Sequence, residues 1–189
     1  MRKIIVGMFI SLDGVTQGPG PSDLFEYAGW TMPYFNDEVG GYVGSRIATA
    51  DALLLGRNTY EGFKAAFEPQ SGGMADGMNN FTKYVVSTTM KSADWNNTTL
   101  INGNIAEEIV RIKQLPGQDI SISGSTTLVQ SLMQHNLIDE ISLLVFPVVL
   151  GTGQQLFANG VAKTDLALIE AKSFNNGVVL MRYQPAKKD

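Results

Sequence analysis

The sequence predicts an α/β fold with a mostly parallel sheet that carries antiparallel strands at one edge. Short apolar segments typical of buried strands alternate with segments in which apolar residues recur every three or four positions, as in helices. The last two strand-like segments, residues 166–174 and 178–183, flank Asn175-Asn176-Gly177, which is a strong hairpin signal. Since no linker or repeat divides the chain, we predict one domain over residues 1–185 and a short tail over 186–189.

Composition excludes several classes of function. The 189 residues include no cysteine and a single histidine, His135, so disulfides, thiol nucleophiles and thiolate or multi-histidine metal sites are ruled out, and we predict no metal. A net charge of −4 without a long basic run argues against nucleic acid as the main partner. No apolar run reaches the roughly 18–20 residues of a membrane span. The charged, apolar start is interrupted at Gly7 and no cleavage site follows, so the sequence predicts a cytoplasmic protein.

The first third of the chain predicts a strand, a long loop and a helix. Residues 3–12 form an apolar run that ends at Asp13-Gly14. Residues 15–32 are loop-like and Gly/Pro-rich, and a loop of this length is typical of a lid or a binding segment. Its aromatic residues are expected to form the underside of that lid, or simply to pack on the core. These are Phe25, Tyr27 and Trp30.

Residues 36–50 carry apolar positions at four-residue spacing and predict a helix capped by Asn36 or Asp37. A buried strand, residues 52–56, follows and leads into a helix that begins at Arg57. The Gly- and Met-rich residues 68–80 are expected to be a mobile excursion. Two short strands are predicted after it, at residues 83–87 and 98–102.

The second half predicts two more helices and a long central strand. Residues 105–115 read as a helix with an i,i+4 ion pair from Glu107 to Arg111. Residues 119–123 read as a strand that turns into a helix ending near His135, where the histidine is expected to cap carbonyl groups. Residues 140–149 are almost unbroken in apolar side chains. Such a strand is either buried on both faces or partly covered by a second copy of the chain, so a homodimer is one hypothesis.

Two strand–turn–helix junctions carry the residues that could bind a ligand. Gly56-Arg57-Asn58-Thr59 and Gly124-Ser125-Thr126-Thr127 each combine glycine and hydroxyl groups at the start of a helix, where free backbone N–H groups bind anions well. Arg57 adds a forked cation. This set suits the phosphates of a dinucleotide, although an ordinary tight turn with a solvated arginine explains the first junction about as well.

The motifs also resemble a known family. The stretch from Leu54 to Glu61 resembles the Gly-Arg-x-Thr-aromatic-Glu signature of the dihydrofolate reductase superfamily. Ser11-Leu12-Asp13-Gly14, Leu137-Ile138-Asp139-Glu140 and Pro147-Val148-Val149-Leu150-Gly151-Thr152-Gly153 resemble one branch of it. That branch is the reductase domain of the bifunctional riboflavin-biosynthesis deaminase–reductase, together with its stand-alone bacterial relatives. The resemblance covers nearly the whole chain in motif order.

This resemblance implies a sheet of about eight strands, a homodimer, and NADPH-dependent hydride transfer to a C=N or C=O carbon, as in 5-amino-6-(5-phosphoribosylamino)uracil reductase. It assigns the cofactor to Gly56, Arg57, Thr59, Ser87, Thr88, Gly124, Ser125, Thr126, Thr127 and Leu128, and the substrate to Gln17, Trp30 and Phe146. The chain departs from the family at Ser125, where a second glycine is usual. It departs again near Gly40, where the folate enzymes carry a helix carboxylate. It also shows no basic cluster for a ribityl phosphate.

Two function classes therefore follow from the sequence. One is an NADPH-dependent reductase of a small heterocyclic or carbonyl compound. The other is a nucleotide- or ligand-binding module that keeps the fold without turnover. Within the first class, Asp13 at the end of the first strand is the candidate proton donor, if closure of the lid desolvates its carboxyl group and raises its pKa. The alternative is a turn aspartate that bonds only backbone amides, with water as the proton source.

Overall fold

The computed structural model describes residues 1–21, 24–157, 161 and 163–186. Its centre is an eight-stranded sheet with the order β4-β3-β2-β5-β1-β6-β8-β7. The six strands from β4 to β6 in that order run parallel, and β8 lies antiparallel to both β6 and β7. The predicted mixed sheet and the C-terminal hairpin are thus confirmed.

The strands are β1 (Ile4–Ser11), β2 (Ala50–Gly56), β3 (Thr82–Val86), β4 (Thr98–Ile101), β5 (Asp119–Ile122), β6 (Glu140–Phe146), β7 (Leu166–Ser173) and β8 (Val179–Pro185). The helices are α1 (Asp37–Ile47), α2 (Arg57–Phe67), α3 (Met74–Asn80), α4 (Ile105–Gln114) and α5 (Thr126–Gln134), with one turn of 3₁₀ helix at Met32–Tyr34. Side-chain caps fix three of these starts: Asn36 accepts from Val39 N, Asn104 from Ala106 N, and Ser125 from Leu128 N.

One face of the sheet is covered by a single large core, and the other face by two separate ones. Apolar residues of α4 and α5, such as Ile109 and Leu132, pack with Val6 of β1 on the first face. On the second face, Val39 of α1 packs over β6 and β8, while Tyr60 of α2 packs over β2 and β3. The two smaller cores leave the middle of that face between them.

Residues 68–80 differ from the sequence-based expectation of a mobile excursion. They contain helix α3, whose Ala75 and Met78 are buried, and Met78 joins the core under α2. Burial of these two side chains outweighs the low helix propensity of a segment rich in glycine and asparagine. The predicted Glu107–Arg111 pair is also wrong, since Arg111 binds Glu108 at 2.8 Å instead.

Strand β6 ends at Phe146, three residues earlier than predicted, and Pro147 follows it. It lies between β1 and β8 and contributes side chains to both faces of the sheet. Ile141 and Leu143 lie in the large core, and Leu144 and Phe146 lie in the core under α1. The apolar run is therefore explained by burial on both faces within one chain. It no longer supports a homodimer.

Two buried cations hold the amino ends of the strands together. Arg2 donates to Gln118 O and pairs with Asp51. Lys113, with its side chain only 8% exposed, binds Asp139 at 2.6 Å, and the same carboxylate accepts from Ile4 N at 2.7 Å. This edge is thereby fixed at several strands, and the opposite edge, where the parallel strands end, is left to loops.

Candidate functional site

The two strand–turn–helix junctions lie side by side at the carboxyl edge of the sheet. A Cβ atom added to Gly56 would lie 2.5 Å from Ser125 Oγ, and one added to Gly124 would lie 3.1 Å from Thr59 Oγ1. Gly124 also has a φ of +108°, which disfavours other residues, and its peptide bond to Ser125 is cis. The glycine at position 56 therefore makes room for the neighbouring turn.

The start of helix α2 has free hydrogen-bonding capacity. Its N-cap is Gly56, which has no side chain to cap it, and no side chain of the described residues accepts from the N–H groups of its first turn. The Arg57 side chain is 48% exposed, donates to Thr89 Oγ1 at 3.2 Å and lies 3.9 Å from Glu61 Oε1. A helix terminus with open amides and a half-exposed guanidinium can bind an anion.

Helix α5 begins beside it with a different arrangement. Ser125 Oγ accepts from Leu128 N at 3.3 Å and so caps the helix. Thr126 is buried, and its hydroxyl group lies 2.7 Å from Thr16 Oγ1. Thr127 is exposed and accepts from Gln154 Nε2 at 3.1 Å, while the Leu128 side chain joins the large core. Thr126 thus leaves only its backbone N–H group for an anion, and the N–H group of Leu128 is already bound to Ser125.

The segment after β3 completes the polar edge. Ser87 is buried and its Oγ accepts from the backbone N–H groups of Thr89 and Met90, at 3.2 and 3.1 Å. Thr88 is exposed beside it. Thr89, which sequence reasoning did not select, contacts Arg57 directly and so joins this segment to helix α2. The hydroxyl run Ser87-Thr88-Thr89 was the signal for it.

Asp13 is held by hydrogen bonds that favour its ionised form. Ser11 Oγ donates to its carboxylate at 2.6 Å, and the N–H groups of Gly151 and Leu150 donate at 2.7 and 3.1 Å. The Ser11 hydrogen bond, with smaller contributions from the two amides, lowers the pKa of Asp13 although burial opposes the shift. The expectation of a raised pKa is wrong for this structure, and the geometry favours the turn role.

Two of the three residues assigned to a substrate lie in the core. Trp30 is 7% and Phe146 0% exposed, and their rings pack edge-to-face at 5.4 Å in the core under α1. Gln17 Oε1 accepts from Gln154 N at 3.1 Å. Trp30 and Phe146 are therefore core residues here, and their aromatic character reflects packing.

A gap in the middle of the second sheet face was missed by the sequence reasoning. Gly7 lies in β1, a central strand, yet it is exposed, and Ser121 and Ser123 on the neighbouring strand β5 and just beyond it are partly exposed. Ser121 pairs with Leu53 of the core under α2, so these residues share the face on which the two smaller cores lie. A glycine inside an otherwise apolar strand was the available signal, because it marks close approach of another group.

Helix α1 forms one wall of this gap and carries glycines there. Val39 faces the sheet, and Glu38 contacts Lys172 and Asn175 N of the hairpin on the far side. By helical geometry, Gly40 lies about 100° round the helix from Val39, on the side opposite Glu38 and thus toward β1. Among the described residues, Phe35 Cε1 would be the one atom near a Cβ at Gly40, at 3.5 Å, and the exposed Gly44 would have none within 4 Å.

Phe35 supplies an exposed aromatic surface at the same wall. Its side chain is 41% exposed, and its ring packs edge-to-face against Phe9 of β1 at 6.0 Å between centroids. The gap therefore combines a glycine and serine floor with an aromatic ring, and it opens toward the carboxyl edge where the two helix starts lie. Such a surface could take a flat organic molecule.

The chain is similar to known proteins over nearly its whole length. A family model described as the RibD C-terminal domain matches residues 2–180. The uncharacterised protein YwjB of Bacillus subtilis (strain 168) is 32% identical over 183 residues, which cover 95% of this chain and 96% of that protein. The uncharacterised protein YyaP of the same organism is 29% identical over 188 residues, which cover 96% of this chain and 94% of that protein.

Solved structures share the fold. A candidate riboflavin biosynthesis protein from Shewanella sp. PV-4 superposes with a TM-score of 0.76 at 21% identity, covering 98% of this chain and 99% of that one. Dihydrofolate reductase from Enterococcus faecalis, solved with NADP(H) and RAB-propyl, superposes with a TM-score of 0.61 at 14% identity, covering 98% and 97%. At these identities the likeness establishes the dihydrofolate-reductase-like fold.

Proposed function

The chain belongs to the RibD C-terminal domain family, and we propose that it is an NADPH-dependent reductase of a small, uncharged heterocyclic or carbonyl compound. The observation that carries the proposal is the meeting of two helix N-termini, α2 and α5, beside a half-exposed arginine at the carboxyl edge of the sheet. This edge is where open α/β sheets bind their ligands. Family membership supports a reductase-type activity, and the cofactor and the substrate class are our inference.

The chain's residues fit the cofactor. The open first turn of α2 and the amides of Thr126 and Thr127 would hold the pyrophosphate between the two helix starts. Arg57, steered by Thr89, would pair with the 2′-phosphate, and the exposed Thr88 would lie near the adenine ribose. The NADP(H) complex of the Enterococcus dihydrofolate reductase, which has the same fold, supports this choice.

When bound, NADPH supplies a hydride to the carbon of a C=N or C=O bond, and the heteroatom of that bond takes up a proton. The chain's part is to orient and to shield. Gly7, Ser121 and Ser123 form a floor that a flat acceptor can approach closely, and the exposed ring of Phe35 can stack on it. Since hydrogen bonds hold Asp13 in its ionised form, we assign the proton to water.

The described cations of helix α1 and of strands β7 and β8 are all paired with carboxylates, which argues for an uncharged substrate. Arg46 of α1 and Arg182 of β8 both bind Glu140, at 2.9 Å each, and Arg182 also binds Glu170 at 2.6 Å. Lys172 of β7 binds Glu38 at 3.2 Å. Each of these guanidinium and ammonium groups on the α1 side is neutralised by a carboxylate, so none is available to a substrate phosphate. A phosphoribosyl substrate is for that reason disfavoured.

The test starts from binding and then adds turnover. Calorimetry with NADPH should give a saturable heat, and mixing the complex with a panel of pterins, pyrimidinones and quinones should oxidise it with at least one of them. Phosphorylated and unphosphorylated forms of the same pyrimidinone should be compared. Failure of wild-type protein to bind NADPH would overturn the proposal, and a strict requirement for the phosphate would overturn the substrate class.

The second candidate function is a binding module that keeps the fold without turnover. It is favoured by the ionised Asp13 and by the absence of any ionisable group among the described floor residues Gly7, Ser121 and Ser123. Saturable NADPH binding without oxidation, across acceptors that bind in competition with one another, would identify this class.

We also propose that the chain forms a homodimer through its edge hairpin. Leu168 and Ile169 of β7 are 58% and 42% exposed, and Val179 of β8 is 36% exposed, although β7 is the last strand of the sheet. An apolar edge strand needs a cover, and a second copy supplies one. Light scattering should give a dimer mass that Leu168→Lys reduces to the monomer. A monomeric wild type would contradict it.

Location in the cytoplasm remains a prediction of the sequence, and within the described residues no helix is long and apolar enough to span a membrane.

A further inference from the structure

Four pairs in which asparagine or aspartate precedes glycine lie within the described residues, and their surroundings differ. They are Asp13-Gly14, Asp76-Gly77, Asn102-Gly103 and Asn176-Gly177, and a fifth pair, Asn159-Gly160, lies outside the described residues. Such pairs are chemically labile, because a glycine has no side chain to shield its own amide nitrogen from the side-chain carbonyl group before it. The attack of that nitrogen needs a side chain that is free to turn and an N–H group that no hydrogen bond holds.

In three of the four pairs the N–H group of the glycine already donates to a carbonyl group earlier in the chain. These donors are Gly14 N, Gly77 N and Gly177 N, at 3.0, 3.5 and 3.2 Å. The side chain of Asn176 is bound as well, since its Oδ1 accepts from Val178 N at 3.1 Å and its Nδ2 donates to Tyr34 O. The hairpin turn thus holds both groups that the reaction needs.

The pair Asn102-Gly103, in the short connection from β4 to α4, has neither restraint. Both residues are exposed, and within the described part of the chain neither the Asn102 side chain nor the Gly103 N–H group has a hydrogen-bond partner. A Cβ atom added to Gly103 would meet no described atom within 4 Å, so nothing crowds the approach of the two groups. This pair therefore meets the conditions that the hairpin turn denies to Asn176.

We propose that Asn102-Gly103 is a site of spontaneous deamidation. Gly103 N, after losing its proton to hydroxide, forms a bond to Asn102 Cγ, the bond from Cγ to Nδ2 breaks, and the nitrogen leaves as ammonia. Water then opens the resulting cyclic imide at either of its carbonyl carbons. One opening gives aspartate at position 102, and the other gives isoaspartate, in which the main chain runs through the side-chain carbon atoms. The net reaction consumes water and releases ammonia, and it needs no enzyme or cofactor.

The two products act differently on helix α4, whose cap lies just after the reacting pair. Asn104 Oδ1 accepts from Ala106 N and Glu107 N at 3.1 and 3.4 Å, and Asn104 Nδ2 donates to Glu107 Oε1 at 2.8 Å. Isoaspartate at position 102 lengthens the main chain shortly before this cap and so displaces Asn104 from the helix start. Aspartate only adds a negative charge near a helix N-terminus, which is favourable.

Peptide mapping by mass spectrometry, after incubation of the native protein in mildly alkaline buffer, tests the proposal. Asn102 should be converted, and Asn176 should react at least about tenfold more slowly, because three hydrogen bonds must break first. In urea, where neither site is folded, the two rates should become similar. Equal rates at the two sites in the native protein, or an Asn102 that reacts only in urea, would overturn the proposal.

Two substitutions test the attacking atom and the effect on α4. Gly103→Ala, whose methyl group has room, should slow conversion of Asn102 because the added carbon hinders Gly103 N. Conversion at the wild-type rate in this variant would overturn the attack by that nitrogen. Hydrogen exchange of the first turn of α4 should lose protection in proportion to the isoaspartate formed, whereas Asn102→Asp should keep it. An equal loss in Asn102→Asp would overturn the role of the lengthened main chain.

Discussion

The ammonium group of Lys83 lies 4.2 Å from the centre of the Trp95 ring, in a fully buried position. It donates to three backbone carbonyl groups, Asn79 O at 3.0 Å, Phe81 O at 2.9 Å and Asn96 O at 3.0 Å. Among the described residues no carboxylate pairs with it. Lys83 thus joins the end of α3 to the loop before β4 by using its cation as a bridge between main-chain segments.

The first prediction concerns this lysine and pH. Burial lowers the pKa of Lys83 from its ordinary 10.5 to about 8, so between those values the unfolded chain binds more protons than the folded one. Its contribution to the free energy of unfolding should therefore rise with pH across that window, by up to about 3 kcal/mol, and be lost as pH falls to the folded-state pKa. Urea unfolding of wild type and Lys83→Met at several pH values measures it. A difference between the two proteins that stays constant with pH would contradict it.

The second prediction concerns the contact between the two turns. Gly56→Ala should lower the free energy of unfolding by about 1–3 kcal/mol, because the new methyl group would lie 2.5 Å from Ser125 Oγ. Ser125→Gly in the same chain removes that atom and should recover much of the loss. Urea unfolding of both single variants and the double variant checks this. Additive losses would show that the two turns are not in steric contact.

The third prediction is cofactor preference. Arg57→Ala should weaken NADPH by about 1.5–3 kcal/mol, the range for hydrogen bonds to charged groups, while NADH binding hardly changes. Arg111→Ala is the matched control, since this exposed arginine of α4 pairs with Glu108 away from the site. Calorimetry with both cofactors gives the numbers. Equal affinity of the wild type for NADPH and NADH would remove the basis for the assignment.

The fourth prediction separates the two roles of Asp13. Asp13→Asn should keep its turnover, because a carboxylate with a lowered pKa holds no proton to give at neutral pH. It should nevertheless lose stability, since Ser11 and two amides donate to the charged group. That stability difference should disappear as pH falls through the lowered pKa of Asp13. Loss of turnover with unchanged NADPH affinity would restore Asp13 as the proton donor.

The fifth prediction tests the wall of the gap. Phe35→Ala should weaken binding of an active acceptor by about 0.5–1.5 kcal/mol, as expected from the loss of one aromatic pair, and leave NADPH affinity unchanged. Val110→Ala, a comparably exposed apolar residue on α4, is the control. Steady-state kinetics and calorimetry together distinguish the two ligands. An equal effect of both substitutions would place the acceptor elsewhere.

Local signals account for what the sequence predicted correctly. Some features depend only on residues that are neighbours along the chain, so a sequence pattern predicts them. They include the apolar parallel strands, the Asn175-Asn176-Gly177 turn and the Asn36 cap. The two helix starts at Arg57 and Thr126 were predicted for the same reason.

Contacts between distant segments account for what the sequence missed. Helix α3 is stabilised because Met78 packs into the core under α2. No local sequence pattern in that segment predicts this contact. Trp30 and Phe146 were assigned to a substrate by resemblance, but both rings pack in the core under α1. The exposure of Gly7 depends on where α1 and α2 lie over the sheet, and Thr16 meets Thr126 across 110 positions of sequence.

The gap between the two smaller cores bears on how proteins of this kind can diverge. Gly7, Ser121 and Ser123 belong to none of the apolar clusters, so a change at one of them removes no core contact. The sheet beneath them is held by its other face and by the ion pairs of Arg2 and Lys113 at the far edge. Under the proposed function, selection for a new acceptor can therefore act on these floor positions without loss of core contacts, so that one scaffold could serve many compounds.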